Sequence, residues 1–468
     1  MSATSDPTPA PPVPADVNAL AEKVWPPDIE RLADGSVSLG GVPVADLQHR
    51  FGTPLYVLDE NAVRDRAREV REAFDAAAER HGTRARVYYA GKAFLCTETV
   101  RWVTAEGLNV DVATGGELAV ALAAGAPADR LGLHGNNKSE VELTRAVTAG
   151  VGTVVLDSLI EIERLAAIAA GHGTVQDVSV RVNSGVHAET HDFLATAHED
   201  QKFGFTLEAA ESAVARIRES PSLNFVGLHC HIGSQIFGAA GFAESASRVI
   251  ALHARLLAGG DVPTVNLGGG FGIAYTDADT PTPIDELADE IVAAVARECD
   301  AHGIPVPALS FEPGRAIVGR AGVTLYEVGT VKPVTVGDDL ERLYVSVDGG
   351  MSDNARPALY GAAYSARIVS RRSDAGPALG RVVGKHCEAG DIVVDAEWLP
   401  ADVSPGDLLA VPATGAYCFS LSSNYNYIPR PPVVAVGDGA ARVIVRGETI
   451  DDLLARDAGV PATTEGNA

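Results

Sequence analysis

The sequence predicts a (β/α)8 TIM-type barrel followed by a C-terminal, mostly antiparallel β domain. Two observations carry this. From about residue 53 to 312, eight short β-branched runs alternate with longer Ala/Leu-rich stretches, and strands separated by helices imply parallel pairing with the helices outside. Beyond Glu312 the strand-like runs continue, but Gly and Pro turns replace the long helical patterns, the texture of an antiparallel sheet. Eight β/α units over about 250 residues match a closed barrel. The alternation alone also fits a doubly wound open sheet.

The barrel strands are expected at 86–90, 109–112, 131–134, 153–156, 178–182, 225–229, 264–267 and 308–311, with helices between them at 116–124, 139–149, 159–170, 207–219 and 283–302. The later strands are expected at 323–331, 342–347, 366–370, 392–398, 408–411 and 442–446. Residues 1–19 begin Pro/Ala-rich and read as a flexible tail. Residues 20–52, with a hairpin-like run at 36–44, read as an N-terminal segment joining the β domain. That leaves 53–311 for the barrel and 312–468 for the β domain.

Composition excludes several classes of function. The 468 residues carry 62 acidic against 37 basic side chains, a net charge of −25. Nucleic acid and anionic membranes demand basic patches, so neither is an expected partner. No apolar run approaches the roughly 18 residues of a membrane span. The N-terminus lacks the basic and apolar regions of a secretory signal. Five cysteines, with no CxxC spacing, argue against a disulfide framework and a zinc site. The expectation is a soluble protein of the reducing cytoplasm with no metal.

Barrel chemistry sits at the carboxyl ends of the strands, and here each end leads into polar, ionisable or glycine residues. Lys92 follows the first strand and is one of only six lysines. An amine desolvated at a barrel mouth is a nucleophile, although a lysine snorkelling from a strand end gives the same pattern. Gly268, Gly269 and Gly270 follow the seventh strand, where phosphate loops occur in barrels and backbone N–H groups can approach an anion; a tight turn is the plain alternative. Glu312 opens the eighth loop and can keep a heterocyclic nitrogen protonated or pair with Arg315. His231 can lie against a ring, act as a base, or simply pack. Together, amine, phosphate loop and carboxylate describe one cofactor, pyridoxal phosphate.

The β domain adds two clusters. Cys387 and Glu388 lie close to Asp391, where a thiol beside acids can donate a proton or be an ordinary small hydrophobe. Arg356 and Tyr360, four apart, can take a carboxylate by guanidinium fork and hydroxyl, or be plain surface polarity.

The ordered set Tyr89-Ala90-Gly91-Lys92-Ala93, Gly135-Asn136-Asn137-Lys138, His229-Cys230-His231-Ile232-Gly233-Ser234-Gln235, Gly268-Gly269-Gly270, Glu312-Pro313-Gly314-Arg315, Cys387-Glu388-Ala389-Gly390-Asp391 and Gly415-Ala416-Tyr417 resembles the diaminopimelate decarboxylase family, on the alanine-racemase-like barrel. The resemblance spans about residues 24–454. Ala389 departs from it, since the family usually has Ser there. The resemblance implies decarboxylation of meso-diaminopimelate to L-lysine with pyridoxal phosphate. By it, Lys92 carries the cofactor aldehyde, Glu312 pairs with the pyridine nitrogen, His231 stacks on the ring, and Asp111 supports the lysine region. Ser234, Gly269, Gly270, Gly314, Arg315 and Tyr417 hold the cofactor's phosphate end. Arg315, Arg356, Tyr360, Glu388 and Tyr417 bind substrate. Cys387 and Glu388 reach the site from a second subunit, so a homodimer with shared sites is implied.

Three rivals stand beside it. A related barrel decarboxylase would act on another basic amino acid. A racemase would need acid/base groups on both faces of the substrate and would release no CO2. A non-catalytic regulator would have no need of Lys92, Glu312 and Cys387.

Overall fold

The computed structural model describes residues 10–186, 202–336 and 340–460. The chain forms two compact units. One holds Ala62–Ala274 and Ala278–Gly319; the other holds the described residues up to Asn61, Tyr275–Asp277 and those from Arg320 onward.

The first unit is a closed, all-parallel eight-stranded barrel. Its strands are β1 (Ala85–Ala90), β2 (Asn109–Val112), β3 (Leu131–Leu133), β4 (Thr153–Leu156), β5 (Gln176–Arg181), β6 (Leu223–His229), β7 (Thr264–Asn266) and β8 (Ala308–Phe311). Each lies within about two residues of its expected place, and the open-sheet alternative falls because β8 pairs with β1. Helices start where side chains close the first turn. Ser139 and Glu142 form a reciprocal capping box at Glu140–Ala149, and Thr114, Ser158 and Thr206 cap three others. One helix, Glu60–Arg80, buries Phe74 with its ring stacked on Phe311 at 3.8 Å between centroids. A fully buried aromatic of this kind contributes roughly 1.5–3 kcal/mol.

The barrel register positions the site. Ala90 pairs with Asp111, Arg181 with His229, and His229 with Asn266. Arg181, His229 and Asn266 therefore share one register row at the carboxyl end, and Asp111 lies beside the last residue of β1.

The second unit is a nine-stranded mixed sheet, antiparallel except at two pairs, plus a small three-stranded antiparallel sheet of Ile29–Arg31, Val37–Leu39 and Val42–Pro43. The sequence places a barrel boundary at 53. The structure instead puts Leu55–Asp59 in this sheet, between Gly322–Val336 and Val433–Gly437. All five of its residues are buried, and only flanking strands satisfy their backbone groups. The short helix Arg315–Val318 stays with the barrel. Within the stretch read as a tail, Asn18 is buried, and its amide both donates to Ser373 O and accepts from Ser373 N at 2.9 Å. Residues 1–9 of that stretch lie outside the described residues. Among the described residues no helix is long and apolar enough to cross a membrane.

Candidate active site

Lys92 sits on a single 3-10 turn, Gly91–Ala93, directly after β1, with its side chain exposed between buried neighbours. It lines a cavity of about 140 Å3 at the barrel's carboxyl end, together with Asp111, His134, Arg181, His229 and Glu312. His231 lines it too.

Glu312 is the hub. Asn266 Nδ2 donates to its Oε1 at 2.6 Å, His229 Nε2 lies 3.0 Å from the same oxygen, and His134 Nε2 lies 3.6 Å away. Burial alone would raise its pKa, but the facing His229 and His134 rings outweigh that and hold it well below the usual carboxylate range. Burial pushes the histidines down, His134 to about 4 and His231 to about 3. His229 is lowered for the same reason. Burial thus disfavours charge on the rings, while the Glu312 carboxylate they face is favoured in its charged form. Asp111 is shifted the other way, raised by burial and then by the Glu312 charge; His134 Nε2 lies 3.1 Å from it. The ligand atoms of His134, His229 and Glu312 lie within 4.8 Å of one another, and the hydrogen bonding just described accounts for that proximity.

The loops after β6, β7 and β8 interlock. A Cβ on Gly269 would lie 2.0 Å from Glu312 O, and one on Gly270, at φ +104°, would lie 2.3 Å from Gly233 O. Only glycine fits at either position. Gly269 N donates to His231 Nδ1 at 3.3 Å, fixing that ring beside the glycine loop. Arg315 Nη2 donates to Ser234 Oγ at 2.9 Å. Gly314 packs against Ala90 and Ala93, which flank the Lys92 turn. The structure thus gathers Lys92, Asp111, His231, Ser234, Gly269, Gly270, Glu312, Gly314 and Arg315 at one end of the barrel.

The remaining expected residues lie in the second unit. Arg356 is buried, its guanidinium 4.6 Å from the Tyr275 ring centre and 5.5 Å from that of Tyr364, whose hydroxyl it hydrogen-bonds. Tyr360, at the other end of the same short helix, is 69% exposed. Cys387 is exposed and its backbone N–H donates to Asn426 Oδ1 at 3.0 Å. Glu388 Oε1 accepts from Gly390 N at 3.2 Å. Tyr417 is half-buried with φ +66°. The Cys387 turn is tied by Asp391, which takes the His386 N–H at 2.9 Å and lies 2.7 Å from His386 Nδ1.

Sequence reasoning left out Asn266 as well as the roles of His229 and His134 around Glu312. It likewise left out Tyr364. Strand-end position marks the histidines, but only the register shows that Asn266 faces Glu312.

The family model for the pyridoxal-binding domain of pyridoxal-dependent decarboxylases matches residues 62–319, the first and last residues of the barrel unit. A diaminopimelate decarboxylase of Mycobacterium tuberculosis (strain ATCC 25618 / H37Rv) is 55% identical over 443 residues, 93% of this chain and 98% of its own length. The chain belongs to the diaminopimelate decarboxylase family. Another member, from Bacillus subtilis (strain 168), is 43% identical over 90% of this chain and 95% of its own length. The crystal structure of diaminopimelate decarboxylase from M. jannaschii in complex with L-lysine superposes with a TM-score of 0.86 at 31% identity, covering 93% of this chain and 99% of that one. The cofactor of this family is pyridoxal phosphate, and the residues present fit it. They supply a cavity-lining amine, a buried carboxylate, and a glycine loop packed too closely against its neighbours to take any side chain.

Proposed function

We propose that this chain decarboxylates meso-2,6-diaminopimelate to L-lysine and CO2, the last step of lysine biosynthesis. The observation that carries this reading is the Glu312 carboxylate, held by Asn266 and His229, in the same cavity that Lys92 lines. When bound, pyridoxal phosphate supplies a cationic ring that takes up the electron pair left by departing CO2. Lys92 Nζ would hold the cofactor's aldehyde, and Glu312 would keep the pyridine nitrogen protonated. His231 would pack on the cofactor ring, and Asp111 would support the region around Lys92. The backbone of Gly269, Gly270 and Gly314 would hold the phosphate with Ser234, Arg315 and Tyr417.

Diaminopimelate carries both an ammonium and a carboxylate at its far end. Its recognition needs an acid and a base there, and Glu388 with Arg315, Arg356, Tyr360 and Tyr417 provides both kinds of group. Among the described residues, tyrosine rings and a hydroxyl, rather than a carboxylate, surround the Arg356 guanidinium, which leaves its charge for a substrate anion. An ornithine-type substrate would need only the acid. Cys387 Sγ or Lys92 Nζ returns the proton to the carbon that lost CO2. The working form is a homodimer in the cytoplasm, each site drawing Lys92 from one chain and Cys387 and Glu388 from the other; the free state of all five thiols suits that compartment.

The test is incubation of purified protein with pyridoxal phosphate and meso-diaminopimelate, measuring lysine and CO2. Equal release of the two is expected. Absence of lysine overturns the reading, and epimerised substrate without CO2 would point to a racemase.

A further inference from the structure

Gln235 is not a glycine, yet it sits at φ +62° in the loop after β6. A side chain seldom holds that conformation unless its surroundings impose it. Here the surroundings are another loop. Gln235 Nε2 donates to Ile273 O at 2.7 Å, and Ile273 N donates back to Gln235 Oε1 at 3.3 Å. One primary amide thus pairs with one peptide unit in both directions, as a second strand would. Beside it, Ile236 N donates to Gly270 O and Gly272 N donates to Ile236 O, each at 2.9 Å. These four hydrogen bonds join the loop carrying Ser234 to the loop carrying Gly270. They also hold Gly233 O so close to Gly270 that no Cβ fits between.

We propose that Gln235 is a positioning residue for the phosphate end of the cofactor, acting by clasping these two loops. It rests on the pyridoxal phosphate reading above and deepens it, because both polar atoms of the clasp's amide are already engaged by Ile273. Ser234 precedes Gln235 directly in the chain, and Gly270 lies three residues before Ile273. Without the clasp, each loop keeps its own anchor, Ser234 on Arg315 and Gly268 on Asn266. The two Ile236 backbone bonds also remain, but Ile273 loses its tether to the loop carrying Ser234, and a phosphate held from both loops at once reads the registry that this tether tightens. The aldehyde and ring ends of the cofactor, at Lys92 and Glu312, do not depend on it.

The experiment titrates the cofactor-stripped full-length protein with pyridoxal phosphate and, separately, with pyridoxal, which has the aldehyde and ring but no phosphate. Gln235→Ala keeps the backbone demand and deletes the clasp. Loss of two neutral hydrogen bonds corresponds to about tenfold or more in affinity. Gln235→Ala should weaken pyridoxal phosphate binding by that factor while leaving pyridoxal within about twofold. Gln235→Gly relieves the left-handed backbone and also lacks the amide, so it should behave like Gln235→Ala; recovery of affinity in Gln235→Gly would overturn the clasp in favour of simple backbone strain. Gln235→Glu, isosteric but facing Ile273 O with an acceptor, gives the same comparison should the smaller variants fail to fold, and it too should lose pyridoxal phosphate selectively. Equal weakening of both ligands, or no weakening in a folded variant, overturns the proposal while the cofactor reading stands. A wild-type protein that binds neither ligand overturns the cofactor reading and the proposal with it.

Discussion

The side-chain amide of Asn266 donates to the Glu312 carboxylate at 2.6 Å, and strand register sets the pair. Asn266 ends β7 opposite Ser310 of β8, two residues before Glu312. A hydrogen bond to a charged group is worth roughly 1.5–3 kcal/mol. Asn266→Ala should therefore cut decarboxylation by about 10- to 100-fold and alter the visible absorbance of the bound cofactor, because the pyridine nitrogen loses part of its hold on the proton. Unchanged absorbance together with unchanged rate would show that His229 and His134 suffice.

Glu312→Gln removes the charge itself. The variant should retain bound cofactor but lose on the order of 10²- to 10⁴-fold in turnover, the usual scale for a lost electrostatic partner. Steady-state assay of cofactor-saturated protein decides this, and activity near that of wild type would mean the nitrogen is protonated by another group.

Arg356→Ala tests the distal carboxylate. A charge-assisted contact contributes roughly 1.5–3 kcal/mol, so diaminopimelate turnover should fall far more than any measurable turnover of plain lysine, which lacks that group. Parallel losses on both substrates would confine Arg356 to packing against Tyr275 and Tyr364.

Lys92→Ala and Cys387→Ala homodimers should each be nearly inactive. Mixed in equal amounts and exchanged, they should give about half heterodimers, each with one intact site, and so regain roughly a quarter of wild-type activity. Native mass spectrometry checks the exchange. Heterodimers without activity would put both residues to work within one chain.

Lys138 belongs to a motif that marks the family, yet its surroundings are structural. Its Nζ lies 2.7 Å from Glu161 Oε1 and donates to Val155 O at 2.7 Å, with both side chains of the ion pair almost fully buried. Removing one partner of a buried pair costs about 3–5 kcal/mol. Lys138→Ala should lower the urea midpoint accordingly, with pyridoxal phosphate affinity little changed. A folded variant that loses cofactor instead would give Lys138 a binding role.

Much of this was legible in the chain. Barrel strands buried on both faces leave continuous apolar runs, and helices capped at Ser139 or Ser158 announce their starts. Lys92, the glycine loop and Glu312 stood out because each is costly where it lies unless used. The strand Leu55–Asp59 did not stand out, since its partners lie more than 250 residues away and adjacency in sequence says nothing of them. Pro377–Val383 was missed because Pro377 and Gly380 dilute its β signal. Asn266 looked like strand interior, and which way it faces depends on shear around a closed barrel.

The interlocking of the three loops after β6, β7 and β8 has a bearing on how such an enzyme can diversify. Gly233 meets Gly270, and Gly269 meets Glu312, backbone against side-chain-free backbone. An insertion in any of these loops must be absorbed by the other two at once, so lineages that lengthen them are expected to be rare. The residues around Arg356 and Glu388 belong to a separate unit, outside this three-loop interlock. The barrel's three loops are thereby held to a fixed length, a constraint that need not extend to the second unit.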